Sequence, residues 1–507
     1  MIVNLGIIHN LTALVPVDDY NVRVFGASGD GSRYDTGSIQ AAIDTAARSG
    51  GGTVYFPAGR YLIKTIFLKD NVTLHVTRGA TLLGSTEMQE PVFDLDQFSD
   101  SGGQKFGNAL IIARDAINIG ITGKGIIDGQ GYETYYPKEK GISRPSLIRL
   151  IRCRNVNIQD ITLLNSAAWV QHYINCEDLR ISGITVRSYS NKNNDGLDID
   201  GCERVWITGC NIDSEDDSIV LKSLGTRPCR DIVISDCIIS GLKSAVKTGT
   251  ESLGGFENIA ISNCVIYGTR GISLLTVDGG YLKNVVISNI TMRDPYAVII
   301  IRLGDRLRGY DIAEQDRPQK PGIIENISIQ NIMATGVTES NDFIAGIPGH
   351  PISDITLRDI QIDYIGGGTR DDAERKIPEL TSEYPKARMF GQLPAYGFYI
   401  RHAERIMMSN IRISFSKADY RSALYCEDVK DLTLDQIRAA SVPNAAPLIK
   451  LKNTHSAMIR FCRPQTPVDV FVFADEYSRD INLIHNELSE VNVPYMTKDP
   501  DNIRMVE

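Results

Sequence analysis

The chain lacks any Cys-x-x-Cys pair. Its nine cysteines, at 153, 176, 202, 210, 229, 237, 264, 426 and 462, stand singly, which excludes the ligand spacing of a structural zinc site. An odd count also fits free thiols better than a complete disulfide framework. No uninterrupted apolar run approaches the ~18 residues of a membrane span. The opening MIVNLGIIHNLTALVPVDD has no basic flank, and Asn4, His9 and Asn10 break its apolar run, so it does not read as a signal peptide. No lysine- or arginine-rich stripe stands out, and the formal net charge is -9. A protein that tracks nucleic-acid phosphates needs the opposite balance. Nucleic-acid and membrane partners are therefore not expected.

What the chain has in abundance is short, regularly spaced apolar units. VNIQDITLLNS begins at Val156, LRISGITVRS at Leu179, VWITGCNIDS at Val205, IVISDCIIS at Ile232, IAISNCVIYG at Ile259 and VVISNITMRD at Val285, with successive starts 23, 26, 27, 27 and 26 residues apart. Further units begin at Ile327, Ile355, Ile406 and Leu432. Each joins two runs of alternating apolar residues at a polar or glycine corner, as short strands bending round a coil do. Several cysteines recur at one place in these units (ITGC, ISDC, ISNC) and read as small fillers of a coil interior. Units this short cannot bury their apolar side alone and must stack. The prediction is an all-β fold, a right-handed parallel β-helix built as a single-stranded solenoid. Propeller blades need about 40 to 50 residues each and fit the period poorly.

Near the start, Ser38 to Arg48 places Ile39, Ala42, Ile43 and Ala46 on one face and predicts a short N-terminal capping helix over the open end of the solenoid. The expected organisation is an N-terminal extension at 1–20, the β-helix at 21–490 and a tail at 491–507 that reads as a loosely held terminus or a partner-contacting arm. Two insertions, at about 302–322 and 366–399, are rich in charge, Gly, Pro and Tyr, and long loops of that kind commonly wall a site.

The chemistry concentrates in NKNNDGLDIDGCERVWITGCNIDSEDDSIVLKS, Asn191 to Ser223. Asp195 is separated from Asp216 and Asp217 by 21 and 22 residues, about one solenoid coil, so stacking at roughly 4.8 Å makes the two acidic clusters neighbours on one face. Crowded carboxylates repel, which favours one that keeps its proton near neutrality beside one that stays ionised. That is the equipment for acid/base hydrolysis of a glycoside. Because adjacent Asp216 and Asp217 would point to opposite faces of a regular strand, the backbone must turn there.

With these residues in view a resemblance emerges. FGASGDGSRYDTGSIQAAIDTAARSGGGTVYFPAGRY (25–61) is similar to the opening segment of pectin-acting β-helix proteins, and GKGIIDGQG (123–131) resembles the Gly-x-Gly-x-Ile-Asp-Gly-x-Gly signature of family 28 glycoside hydrolases, the polygalacturonase family. Arg144-Pro145, NSAAW (165–169), NND (193–195) and EDDSIVLKS (215–223) follow that family's order, and the resemblance covers about residues 21 to 300 well. It implies that Asp216 is the general acid, that Asp195 and Asp217 orient and deprotonate water, and that the anomeric configuration inverts. An interposed water then requires acid and base carboxyls roughly 6.5 to 9.5 Å apart. No cofactor and no metal are expected.

The departures are specific. Lys243-Ser244-Ala245 stands where the family has Gly-His-Gly, and Ser273-Leu274-Leu275 where it has Arg-Ile-Lys to hold a galacturonate carboxylate. Leucines cannot supply a charge-assisted bond. Lys222, Lys247, Arg270 and Arg302 are the candidate replacements, with Asn194 as a further substrate-binding candidate. His172 reads as a packed coil residue, and Tyr132, Tyr135 and Tyr136 as residues able to stack on a sugar ring. The favoured function is an inverting hydrolase of α-glycosidic bonds in pectic or related polysaccharides, acting at chain ends and outside the cytoplasm, in the periplasm or secreted. The alternatives are a β-helix lyase or epimerase and a non-catalytic glycan-binding β-helix. Oligomeric state leaves no mark in the sequence.

Overall fold

Asparagine or aspartate occupies a corner of nearly every repeat unit because the chain there enters the left-handed region, which these residues tolerate better than other side chains. Asn263, Asn289, Asn331, Asp359 and Asn410 have φ of 56°, 57°, 53°, 53° and 50°. Their side chains also form a ladder: the Asn289 amide donates to Asn263 Oδ1 at 3.0 Å, Asn331 to Asn289 at 2.7 Å and Asn410 to Asp359 at 2.7 Å. The polar letter before each inward-facing residue is thus a corner that stacks.

Those corners wind the chain into one long parallel sheet wrapped as a right-handed β-helix. The computed structural model describes residues 19–87, 98–99, 105–138, 144–309, 317–339 and 341–506, so nearly all of the expected 1–20 extension lies outside the described residues. Val156 pairs in register with Leu179, and the same ladder continues through Val205, Ile232, Ile259, Val285, Ile327, Ile355, Ile406 and Leu432. The unit starts legible in the sequence are therefore successive rungs. The steps from Val285 to Ile327 and from Ile355 to Ile406 absorb the two insertions without loss of register.

The interior is a continuous apolar column running from Val22 to Ile503. All nine cysteines are free and buried in the coils. The helix Thr36–Arg48 buries Ile39, Ala42, Ile43 and Ala46, and burial of the two isoleucines alone contributes about 3–6 kcal/mol to covering the first coil. Among the described residues no helix is long and apolar enough to cross a membrane.

The C-terminal expectation needs correction. Val491–Thr497 pairs in parallel with Val468–Ala474, and Ile503–Val506 with Arg479–Ile484, so 491–506 belongs to the last turns of the solenoid. Its apolar alternation is weak because little packs beyond it: Val493, Met496, Met505 and Val506 remain exposed.

Candidate active site

The outer strands Leu197–Asp200, Ile219–Ser223, Val246–Ser252 and Ile272–Thr276 lie side by side, with Leu197 opposite Ile219, Ile219 opposite Val246 and Val246 opposite Ile272. The residues two positions before these rungs are Asp195, Asp217, Ser244 and Arg270. They form a line along the solenoid axis at roughly 4.8 Å per coil. The backbone holds it: Gly196 N donates to Asp217 O at 2.9 Å, and Ser218 N to Ser244 O at 2.9 Å. Asp216 reaches the same face because the strand Asn211–Ser214 ends before it and the chain bends, with Asp217 N donating to Asp216 Oδ1 at 3.0 Å. One oxygen of each of Asp195, Asp216 and Asp217 lies within 4.8 Å of the others. Among the described residues this is the one group of three His, Cys, Asp or Glu side chains close enough to hold a metal ion, and its Asp217 already carries a cation in the Lys247 ammonium.

The three carboxyls are not equivalent. Burial raises Asp195 well above the usual carboxylate range, and the charges of Asp198 and Asp216 add to it. Burial also raises Asp216, helped by the Asp217 charge and opposed by Lys243 and Lys247. At Asp217 burial pushes the same way, but the Lys247 ammonium, 2.7 Å from Oδ2, and the Ser244 N–H, 2.8 Å from Oδ1, outweigh it and leave Asp217 below the usual range. Neighbours in sequence are thereby shifted in opposite directions.

The predicted site residues divide sharply. Lys247 is at the site, but it holds Asp217 rather than standing free, which answers how a lysine flanked by Val246 and Thr248 is tolerated at 6% exposure. Arg270 lines a cavity together with Asp216, Asp217 and Lys247. Lys222 is buried under the trio: its ammonium lies 3.5 Å from Asp198 and 3.3 Å from Glu251 and sits 4.3 Å over the Trp169 ring. Asn194 is fully buried and its amide is consumed internally, donating to Ser166 O and Ala168 O at 3.0 and 2.9 Å and accepting from Ser188 Oγ at 2.8 Å. It shapes the turn that presents Asp195 and is not a free substrate contact.

Arg302 is likewise corrected. Its guanidinium donates to Gly346 O, Glu379 O and Leu380 O at 2.9, 2.8 and 3.0 Å and packs on Phe390, so it anchors the 366–399 insertion. His172 is packed as expected, edge-on to Trp169 with ring centroids 5.0 Å apart, and burial pushes it down to about 4. Tyr136 is buried, its hydroxyl donating to Ser85 O at 2.6 Å, whereas Tyr132 and Tyr135 are exposed.

The anchored insertion returns over the outer sheet and supplies Tyr384, Pro385, Lys386 and Ala387 to a cavity of about 290 Å³ whose other walls include Asp216, Asp217, Lys243, Lys247 and Arg270. Tyr384 OH is 3.4 Å from Lys247 Nζ. Arg401 and His402 hold Glu379 of the same insertion. The loop composition flagged a wall, but nothing local in the sequence pairs Tyr384 or Lys386 with residues so far back along the chain. The nearest oxygens of the three carboxyls lie within 4.8 Å of one another. A water donating to two carboxylates at about 2.7–2.8 Å each does fit oxygens this far apart.

A sequence model of glycosyl hydrolases family 28 matches residues 53–383. A probable polygalacturonase from Vitis vinifera is 27% identical over 365 residues, covering 67% of this chain and 73% of that protein. An exo-poly-alpha-D-galacturonosidase from Dickeya chrysanthemi is 24% identical over 394 residues, covering 66% of this chain and 65% of that protein. Among solved structures, an exopolygalacturonase from Thermotoga maritima superposes with a TM-score of 0.62 at 23% identity, over 79% of this chain and 92% of the other. A family 28 exopolygalacturonase from Yersinia enterocolitica gives 0.59 at 20% identity, over 80% and 79%. At such identities the structural likeness shows the shared β-helix.

Proposed function

The chain belongs to glycosyl hydrolase family 28 and is a glycoside hydrolase, and from that premise we propose that it cleaves α-glycosidic bonds of a pectic or related plant polysaccharide, removing units from a chain end with inversion. The observation that carries the chemistry is the unequal setting of two adjacent carboxyls in one cavity: Asp217 is paired with the Lys247 ammonium at 2.7 Å and shifted down by it, whereas Asp216 has no such partner among the described residues and is shifted up by burial. Asp216 donates its proton to the glycosidic oxygen as the bond from C1 to that oxygen breaks. A water held against Asp195 and Asp217 attacks C1 from the opposite side and passes its proton to Asp217. Asp216 is then reprotonated from solvent and Asp217 releases its proton, closing the cycle.

Positioned acid and base groups of this kind each contribute about 10²–10⁴-fold in rate. Action at a chain end is supported by the 366–399 insertion, which walls the cavity of Asp216 and Asp217 with Tyr384, Pro385, Lys386 and Ala387 and is pinned by Arg302, Arg401 and His402. The relatives named for polygalacturonan support the pectic substrate, and a cell-wall polymer implies action in the periplasm or after secretion.

The test is digestion of a panel of pectic oligosaccharides by wild type and Asp216→Asn, read by product chromatography and by the ultraviolet absorbance of unsaturated ends. Saturated end units from wild type and none from the variant support the proposal. Unsaturated products would move the protein to the lyase class, and equal activity of the variant would remove Asp216 from the chemistry.

A further inference from the structure

Ser273 and Leu275 face the cavity from the rungs where the family's Arg and Lys stand, and Leu274 is buried inside the coil. A substrate carboxylate finds no cation there. Four cations nonetheless converge on the cavity from separate segments: Lys243 and Lys247 from the coil after the acids, Arg270 from the next coil, and Lys386 from the long insertion. Lys247 is engaged by Asp217. Among the described residues no carboxylate lies within ion-pairing distance of Lys243, Arg270 or Lys386. Glu339, which senses Arg270, is itself held by Arg388.

Arg270 has a defined position. Its guanidinium lies 6.0 Å from the centroid of the Tyr296 ring, over which Arg388 also sits at 4.3 Å, and its backbone N–H is tied to Lys243 O at 2.7 Å. It stands two rungs beyond Asp217, or about 10 Å along the axis. Three unpaired cations gathered in one cavity repel each other and attract an anion. A guanidinium also matches a carboxylate in a two-pronged bond that a neutral hydroxyl cannot replace.

We propose that Arg270, with Lys243 and Lys386, receives the carboxylate of a uronate unit of the substrate, so that the enzyme takes acidic rather than neutral glycans by cations lying outside the family's positions. The inference rests on the hydrolase reading of this site.

Its test measures binding rather than turnover. In the Asp216→Asn background, calorimetric affinity is compared for a trimer of galacturonic acid and for the same trimer with its carboxyls reduced to alcohols. Arg270→Gln is expected to weaken the acidic trimer at least about tenfold and the reduced trimer less than about twofold, with Arg270→Lys restoring part of the loss. Lys386→Gln, on an exposed loop position, should lower both acidic affinity and its salt dependence without changing the melting temperature. Equal losses for both trimers, no loss for the acidic one, or no binding of the acidic trimer before Arg270 is changed would overturn the proposal. Turnover by the Asp216→Asn protein would instead count against the hydrolytic assignment and leave the binding result standing.

Discussion

Replacing Lys247 with methionine removes the ammonium paired with Asp217 while keeping similar volume. The ammonium sits 2.7 Å from Asp217 Oδ2, and the two side chains are 7% and 8% exposed. An opposite charge at this range typically lowers a carboxyl by about 1–3 pH units, so its loss should move Asp217 up by about that much, the Ser244 N–H remaining as a weaker brake. In the proposed mechanism Asp217 must be ionised, and the acid limb of kcat/KM should shift upward by about 1–3 pH units, a fall of roughly 10- to 1000-fold at a fixed pH on that limb. Asp216 must stay protonated, and the alkaline limb should not move to lower pH. The stability signs follow from linkage. In wild type Asp217 lies below its unfolded value, so it adds stability above the usual carboxylate range and loses it as pH falls through the lowered value. In the variant the depression is lost, and stability should decline as pH rises, with about 3–5 kcal/mol at stake for an orphaned buried charge. The assays are a pH–rate profile and thermal melting across the same pH range. An unchanged acid limb in a folded Lys247→Met protein would refute the reasoning.

Three further outcomes can be checked. Asp198 is fully buried, with no hydrogen bond to either oxygen among the described residues and only Lys222 at 3.5 Å; burial raises it to about 8. A raised carboxyl makes the folded state bind the extra proton, so stability falls as pH climbs from about 4 to about 8, and Asp198→Asn should flatten the melting curve over that window. Arg302→Leu leaves the Glu379 and Leu380 carbonyls without their donor; at about 1.5–3 kcal/mol per charged hydrogen bond, the insertion should become susceptible to protease within 366–399, and products should shift from single end units toward internal fragments. All nine thiols should be unreactive in the native protein and titrate only on unfolding, with melting unaffected by reductant, because every one is buried and unpaired.

The fold was legible because a solenoid writes its period into the sequence. Val156, Leu179, Val205 and their successors are both the starts of repeat units and the rungs of one ladder, and the residue before each rung, Asn or Asp except at Arg204 and Arg405, marks a left-handed corner. The stacking of Asp195 on Asp217 followed from the same period. The last coils were illegible because a coil covered on one side only need not alternate. The pairing of the cations is not legible for a related reason. Whether Lys222, Lys247 or Arg302 is free depends on carboxylates and carbonyls brought from other coils and from the insertion, such as Glu251 and the Glu379 backbone. Lys386 enters from a loop whose place in the same cavity as Lys247 and Arg270 no local pattern encodes.

The central claim is direct hydrolysis with Asp216 as acid and water delivered from the opposite face. Proton NMR of the anomeric region during cleavage of an α-linked galacturonic acid trimer tests it at once. The account predicts that wild type releases the β-anomer first, before mutarotation, and that Asp216→Asn releases nothing. The α-anomer appearing first would mean retention through a covalent intermediate and would contradict the roles given to Asp195 and Asp217.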